Sequence, residues 1–384
     1  MTAPAATAVP VLWLCGPPGV GKTAVGWEIY SRLRRSGTGA GYVDIDQLGI
    51  CYPEPAGDPG RHRMQAENLG SVVANFRAAG ARCVVVSGVV DAARGIHDDR
   101  IPGAALTVCR LRTGPEELTR RLTGRQGSWV SVEDALEDAA ALEASDFADV
   151  CVDTSGLPVA EVARRVREAA GDWPAPNGPR RPSRAARPEA RAAAGPGGPV
   201  LWLCGATGVG TSTVGFDLYL RTLRAGHAAA YLDLDQLGFL GPAPADDPGN
   251  HRVRARNLAA VWETYRAAGA RRLVLVGPAG EGAFAAGYAD ALAGAGVTLC
   301  RLHAGREELT RRILGRARGG SWAQPGDPLR GRSDEHLLGV AEGAVAQAAA
   351  LDRAGVGDLR VDTDGRDAAR VADEIAARTG WPEP

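Results

Sequence analysis

The sequence predicts an α/β protein of two tandem domains, each a parallel five-stranded sheet with helices on both faces. Three observations carry this. A series of short motifs occurs twice in the same order. Within each half, continuous apolar runs alternate with helical patterns, as in a parallel sheet covered on both sides. A glycine-rich turn joins the first apolar run to the first helical pattern, a strand-turn-helix opening of the doubly wound type.

The repeat sets the domain plan. Val11-Leu12-Trp13-Leu14-Cys15-Gly16 returns as Val200-Leu201-Trp202-Leu203-Cys204-Gly205. Tyr42-Val43-Asp44-Ile45-Asp46-Gln47-Leu48-Gly49 returns as Tyr231-Leu232-Asp233-Leu234-Asp235-Gln236-Leu237-Gly238. Asp58-Pro59-Gly60 with His62-Arg63 returns as Asp247-Pro248-Gly249 with His251-Arg252, and Glu116 to Arg121 returns as Glu307 to Arg312. The period, about 190 residues, is far too long for a solenoid and marks a duplicated domain. The expected division is 1–173, a linker 174–199, and 200–384. The linker is dense in Pro, Gly, Ala and Arg, with five arginines against Glu189. It lacks apolar periodicity and reads as a flexible, solvated tether. No aromatic residues alternate with its arginines, which argues against nucleic acid. The duplication allows the two halves to pack against each other within one chain.

In the first half the elements follow in order. An apolar run at 11–15 leads directly into the glycine turn, and a helix over 22–35 follows it. A strand at 41–46 ends on Asp44 and Asp46, and a helix over 62–79 begins at His62. A strand over 83–90 contains Ser87-Gly88, and another covers 106–111. Helices are expected at 115–125, carrying Arg121 and Arg125, and at 131–145. The fifth strand, 149–153, ends at Asp153-Thr154-Ser155, and a helix over 158–170 closes the domain. Ligands of such sheets bind at the carboxyl ends of the strands.

Composition narrows the function classes. The chain has 384 residues, 45% of them apolar, and a formal net charge of −1. No global field points to nucleic acid or to an anionic membrane. Seven cysteines lie mostly in apolar strand-like runs without a C-x-x-C pair, which reads as reduced thiols in a cytoplasm. The segment Met1–Pro10 lacks a basic stretch and leads into a strand, so a signal peptide is not expected. No run of about 18 apolar residues is present to span a membrane.

The chain contains one lysine, Lys22; the other 43 of its 44 basic Lys and Arg residues are arginines. Lys22 lies in Gly16-Pro17-Pro18-Gly19-Val20-Gly21-Lys22-Thr23, which fits G-x-x-x-x-G-K-[ST]. In such a P-loop, backbone N–H groups cradle phosphate, the lysine reaches the β- and γ-phosphates, and the hydroxyl meets Mg²⁺. Ammonium is a compact charge that fits between phosphate oxygens, whereas guanidinium is a wide planar fork. The residues from Gly16 through Thr23, with Ala24 behind them, are therefore the expected nucleotide contacts.

Asp44 and Asp46, two apart on a strand, share a face. Two carboxylates side by side favour a cation or a proton between them. Asp44 is expected near Mg²⁺, Thr23 as a direct metal ligand, and Asp46 as acceptor of a substrate hydroxyl proton. Capping of a helix or turn is the structural alternative for either aspartate. Arg121 and Arg125, four apart on a helix, line one face. The helix tip, followed by Gly127, can close over a nucleotide, or the two can form a solvated arginine face. Thr154 stands where it can flank a base or cap a turn. His62, Arg63 and Asn68 lie at a helix start over the strand ends, where they can contact substrate or bond locally. Asp91, three residues beyond Gly88, is a further candidate for a metal-side acid.

Taken together, Gly16–Thr23, Asp44-x-Asp46, Arg121-Leu122-x-x-Arg125-x-Gly127 and Asp153-Thr154 resemble small P-loop kinases of the gluconate, shikimate and adenylylsulfate kinase type. The resemblance covers most of residues 10–172. It implies a P-loop NTPase sheet ordered 2-3-1-4-5, Mg-ATP as donor and a small hydroxylated molecule as acceptor. It places Lys22 and Thr23 on phosphates and metal, Asp46 at the acceptor, Arg121 near the base and Arg125 in a lid. The segment Cys51–Gly60 replaces the usual acceptor-binding stretch.

In the second half the loop is Gly205-Ala206-Thr207-Gly208-Val209-Gly210-Thr211-Ser212, so Thr211 replaces the lysine. That removes a charge-assisted bond worth about 1.5–3 kcal/mol. A degenerate, pseudokinase-like copy is expected. Two readings follow for the whole: a cytoplasmic ATP-dependent phosphotransferase with one active half, or an ATP-binding switch with weak hydrolysis.

Overall fold

A computed structural model of the chain describes residues 8–124, 130–175, 181–182, 197–279, 283–317, 329 and 331–383. The chain divides into two compact units. The first comprises Met1–Gly49, Ala56–Ala190 and Leu237–Val253; the second comprises Ile50–Pro55, Arg191–Gln236 and Arg254–Pro384. In chain order the elements begin with β1 (Val9–Cys15), α1 (Lys22–Arg35), β2 (Ala40–Asp44), β3 (Cys51–Tyr52), α2 (His62–Ala78), β4 (Cys83–Ser87) and β5 (Ala104–Arg112). They continue with α3 (Pro115–Thr123), α4 (Val132–Glu143), β6 (Val150–Asp153), α5 (Val159–Ala169) and β7 (Arg181–Pro182). Next come β8 (Val200–Gly205), α6 (Thr211–Arg224), β9 (Ala229–Asp233), β10 (Leu240–Gly241), α7 (His251–Ala267) and β11 (Arg272–Val276). The chain finishes with α8 (Ala283–Ala291), β12 (Val297–His303), α9 (Arg306–Ala317), α10 (Asp334–Arg353), β13 (Leu359–Asp362) and α11 (Ala368–Thr379).

The first unit is built on five parallel strands in the order β2-β4-β1-β5-β6. This is the expected 2-3-1-4-5 arrangement, with β1 at the centre. Two two-residue strands extend the expected five to seven: β10 pairs antiparallel with β2, and β7 pairs antiparallel with β5. The second unit repeats the parallel order as β9-β11-β8-β12-β13, and β3 joins β9 antiparallel to make six.

Pleating decides which helix covers which face. Adjacent strand residues point oppositely, so Gly41 faces the ring of Phe76 on α2 while Tyr42 joins the core under α1. Helix α1 buries Val25, Ile29, Tyr30 and Leu33, an i, i+4, i+5, i+8 stripe. That stripe packs on Leu12, Leu14, Val85 and Leu111 with Val162, Val166 and the fully buried Trp173. Two helices on this face and α2 on the other give the α/β layering its hydrophobic cohesion. In the second unit Leu201, Leu203, Val274 and Leu302 meet Val214, Leu218 and, from α11, Val371 and Ile375.

Two predicted strand ends are corrected. The strand expected to run to residue 46 stops at Asp44, and Ile45–Leu48 forms one 3₁₀ turn. The strand expected to reach residue 90 stops at Ser87. Gly88 then takes φ 137°, and a Cβ there would lie 2.3 Å from the Ile45 side chain. Only glycine fits that close approach.

None of the seven cysteines is disulfide-bonded, and all but Cys151 are buried. Burial pushes the Cys15 thiol up to about 12. Among the described residues no helix is long and apolar enough to cross a membrane.

Candidate active site

The glycine-rich loop connects the central strand β1 to α1, at the carboxyl edge of the sheet. Gly16 has φ 144°, and a Cβ there would lie 2.4 Å from the Leu111 carbonyl oxygen, so the loop's tight start needs glycine. Gly21, at φ 102°, is the N-terminal flanking residue of α1, and no side chain caps the helix start. The first-turn N–H groups and the positive end of the helix dipole therefore face the loop's hollow unclaimed by side chains.

Lys22 is 9% exposed. Its ammonium donates to the carbonyls of Gly16 at 2.8 Å and Pro17 at 3.0 Å. Burial lowers its pKa, and the charge of Asp46 is the largest influence holding it up. Thr23 and Ala24 follow on the first turn, Thr23 half-buried and Ala24 exposed.

Asp44 and Asp46 are brought together, by a different route from the one expected. Asp46 is not a strand residue sharing Asp44's face. It sits in the 3₁₀ turn, and its backbone N–H donates to the Asp44 carboxylate at 3.1 Å. Asp44 thus caps the turn and also faces Lys22 and Asp46. Burial raises both carboxyls, Asp44 well above its ordinary 3.8, and the charge of Asp46 pushes Asp44 up further. For Asp46 the Lys22 ammonium, the Val89 N–H (3.3 Å), His62 and Arg61 oppose the rise.

The substrate-side residues divide. His62 and Arg63 open α2, both partly exposed. Asn68, buried completely, donates to the Leu48 carbonyl at 2.8 Å and so pins the 3₁₀ turn. The recurring Asp-Pro-Gly motif caps helices: Asp58 accepts the N–H groups of Arg63 and Met64, each at 2.9 Å. Asp247 does the same for His251 and Arg252. Asp91 accepts from Ala93 and Arg94 in its own turn. Arg61 was missed in the sequence. It holds a left-handed φ of 61° and contributes its charge to Asp46. The signal was available, because the repeat carries Asn250 there, breaking an otherwise matching motif.

Arg121 spends its donors on the fold. It reaches Glu117 at 2.8 Å, the Val20 carbonyl at 3.1 Å, and the hydroxyl and carbonyl of Thr154 at 3.0 and 2.9 Å. It thereby ties the glycine loop to the turn after β6. Thr154 is buried, and the neighbouring Ser155 N–H donates to Asp153. Arg125 lies outside the described residues, beyond the end of α3.

The second unit keeps the clamp and changes the rest. Arg312 reaches Glu308, the Val209 carbonyl and Thr363 just as Arg121 does its counterparts. Thr211 stands at the lysine position, and the Ser212 hydroxyl donates to Asp233 at 3.0 Å. Asp235 is paired with Arg254 at 3.0 Å; the first half has Gln65 at the matching place.

The first-unit residues fit a nucleotide and Mg²⁺ in a particular sense. Among the described residues no group of three His, Cys, Asp or Glu could hold a metal by itself. Magnesium ordinarily uses one or two carboxylates together with phosphate oxygens, and the half-buried Thr23 and buried Asp44 are the residues that would hold it alongside phosphate.

The sequence matches no protein-family model and no curated protein. Solved structures similar to parts of the chain include a tunicamycin resistance protein of Deinococcus radiodurans (23% identity, TM-score 0.33, covering 42% of this chain and 96% of that one). The APS kinase CysC of Mycobacterium tuberculosis, solved with AMPPNP and APS, matches at 21% identity and TM-score 0.32, over 48% and 99% of the two chains. A shikimate kinase of Bacteroides thetaiotaomicron matches at 14% identity and TM-score 0.33, over 48% and 99%.

Proposed function

We propose that the first unit is an ATP-dependent phosphotransferase acting on a small hydroxylated molecule, and that the second is a degenerate copy that does not transfer. The observation that carries this reading is Lys22, buried at an uncapped helix start with its ammonium on the Gly16 and Pro17 carbonyls, and near enough to Asp46 for each charge to act on the other. One end of the pair suits phosphate and the other suits an alcohol.

Bound Mg-ATP would supply the phosphoryl group and neutralise charge developing on it. The chain's own residues do the rest. The N–H groups of Gly19, Gly21 and Lys22 cradle phosphate, and the Lys22 ammonium exchanges its two carbonyl partners for phosphate oxygens. Thr23 and Asp44 hold the metal side. Asp46 accepts the proton of the attacking hydroxyl, and its raised pKa brings it closer to the working pH of a general base. His62, Arg63 and Arg61 face the acceptor. Arg121 and Thr154 fix the loop beside the nucleotide, and Arg125 is assigned to the closing segment. Thiols without disulfides fit a reducing cytoplasm.

The test is a coupled assay of ADP release against sugars, sugar acids, nucleosides and other hydroxylated metabolites. Acceptor-dependent release supports the transferase. Acceptor-independent, slow release would favour an ATP-controlled switch instead.

A further inference from the structure

We propose that the second unit carries a nucleoside diphosphate site that binds without metal and without transfer. The inference rests on the reading of the glycine loop as a phosphate cradle, applied to a different site. A cavity of about 500 Å³ opens over the loop residues 208–213 and the start of α6, within the size range of small-molecule sites. Its lining includes four arginines, Arg311, Arg312, Arg316 and Arg366, and no carboxylate. Arg311 and Arg312 share Glu308, and Arg366 pairs with Glu374, both acids lying outside the lining; the wall itself presents guanidinium groups and no carboxylate, a surface suited to an anion. The helix start below it has no side-chain cap, and Gly210 takes the same φ of 102° as Gly21. On the opposite side Ala368 and Val371 of α11 supply an apolar surface for a flat base.

The features that would handle a third phosphate, a metal or an acceptor are cancelled within the same unit. Thr211 removes the cation that reaches the β- and γ-phosphates. The Ser212 hydroxyl, the metal-side ligand in such loops, is given to Asp233. Asp235, the counterpart of the proposed base, is neutralised by Arg254. Phosphate-cradling N–H groups, cationic walls and an apolar shelf remain. That set suits an α/β-diphosphate held by backbone and guanidinium.

Calorimetry of ADP into the full chain, with and without EDTA, tests this. Two sites are expected in the wild type, one of which survives both EDTA and Lys22→Ala. Arg316→Glu, or the surface change Arg311→Glu if the former lowers Tm, should weaken that surviving site at least tenfold. A single wild-type site that vanishes in Lys22→Ala overturns this inference and leaves the transferase reading standing. A single site that is indifferent to Lys22→Ala but lost in Arg316→Glu does the reverse. Surviving binding that neither arginine substitution alters also overturns it.

Discussion

Asp44 and Asp46 stand two residues apart, and the chain gives them different work. Asp46 receives an N–H from Val89 and faces the charges of Lys22, His62 and Arg61. As a general base it should contribute about 10²–10⁴ in rate. Asp46→Asn is therefore expected to lower kcat by that order while Mg-ATP affinity measured by calorimetry stays unchanged. An equal loss of both would make it a nucleotide contact. Asp44, pushed up by burial and by Asp46, carries a consequence for stability. Between its ordinary 3.8 and its higher folded value, the native state binds more protons than the unfolded chain. Stability therefore falls as pH rises through that window. Asp44→Asn keeps an acceptor for the Asp46 N–H and removes the charge. Its Tm should exceed that of the wild type increasingly as pH rises above about 4; parallel Tm curves would exclude the effect.

Elements tell which parts of the sequence were legible. Helix α1 and strand β1 were readable because a strong apolar run meets a loop whose glycines have one structural use. The end of β2 was not, since the apolar Ile45 continues the strand pattern while Asp44 folds back to cap a 3₁₀ turn. The two-residue strands β3, β7 and β10 carry no period at all, so no pattern could reveal them. Asp58-Pro59-Gly60 was legible only as a repeated motif, since recurrence within a chain preserves folding devices as well as chemistry. Asp58 closes the start of α2 with two N–H bonds. Asp58→Ala should cost about 1–2 kcal/mol, read as a lowered Tm or a shifted urea midpoint. An unchanged Tm and urea midpoint would show that these two bonds do not hold the helix start.

At the scale of the whole molecule, the units do not follow the halves of the sequence. The first unit takes in Leu237–Val253. Phe239 lies 4.9 Å from the ring of Trp27 and 5.9 Å from that of Tyr42, and its carbonyl accepts the Tyr42 N–H at 2.8 Å. Tyr42, on the strand that ends at Asp44, in turn bonds Ser87 at the end of β4 at 2.7 Å. A residue from late in the chain thus steadies the strand that presents the aspartates. Phe239→Ala should destabilise the first unit by about 2 kcal/mol, below the cost for a fully buried aromatic. Hydrogen exchange at Tyr42 and Val43 should quicken; unchanged protection there would detach Phe239 from the site. The central claim is that one lysine in a glycine loop holds ATP for transfer. Its most direct test is ADP release from Mg-ATP with saturating acceptor, in wild type and Lys22→Ala side by side. Acceptor-dependent release is expected in the first and a loss of at least about a hundredfold in the second. Equal turnover in the two proteins would contradict it.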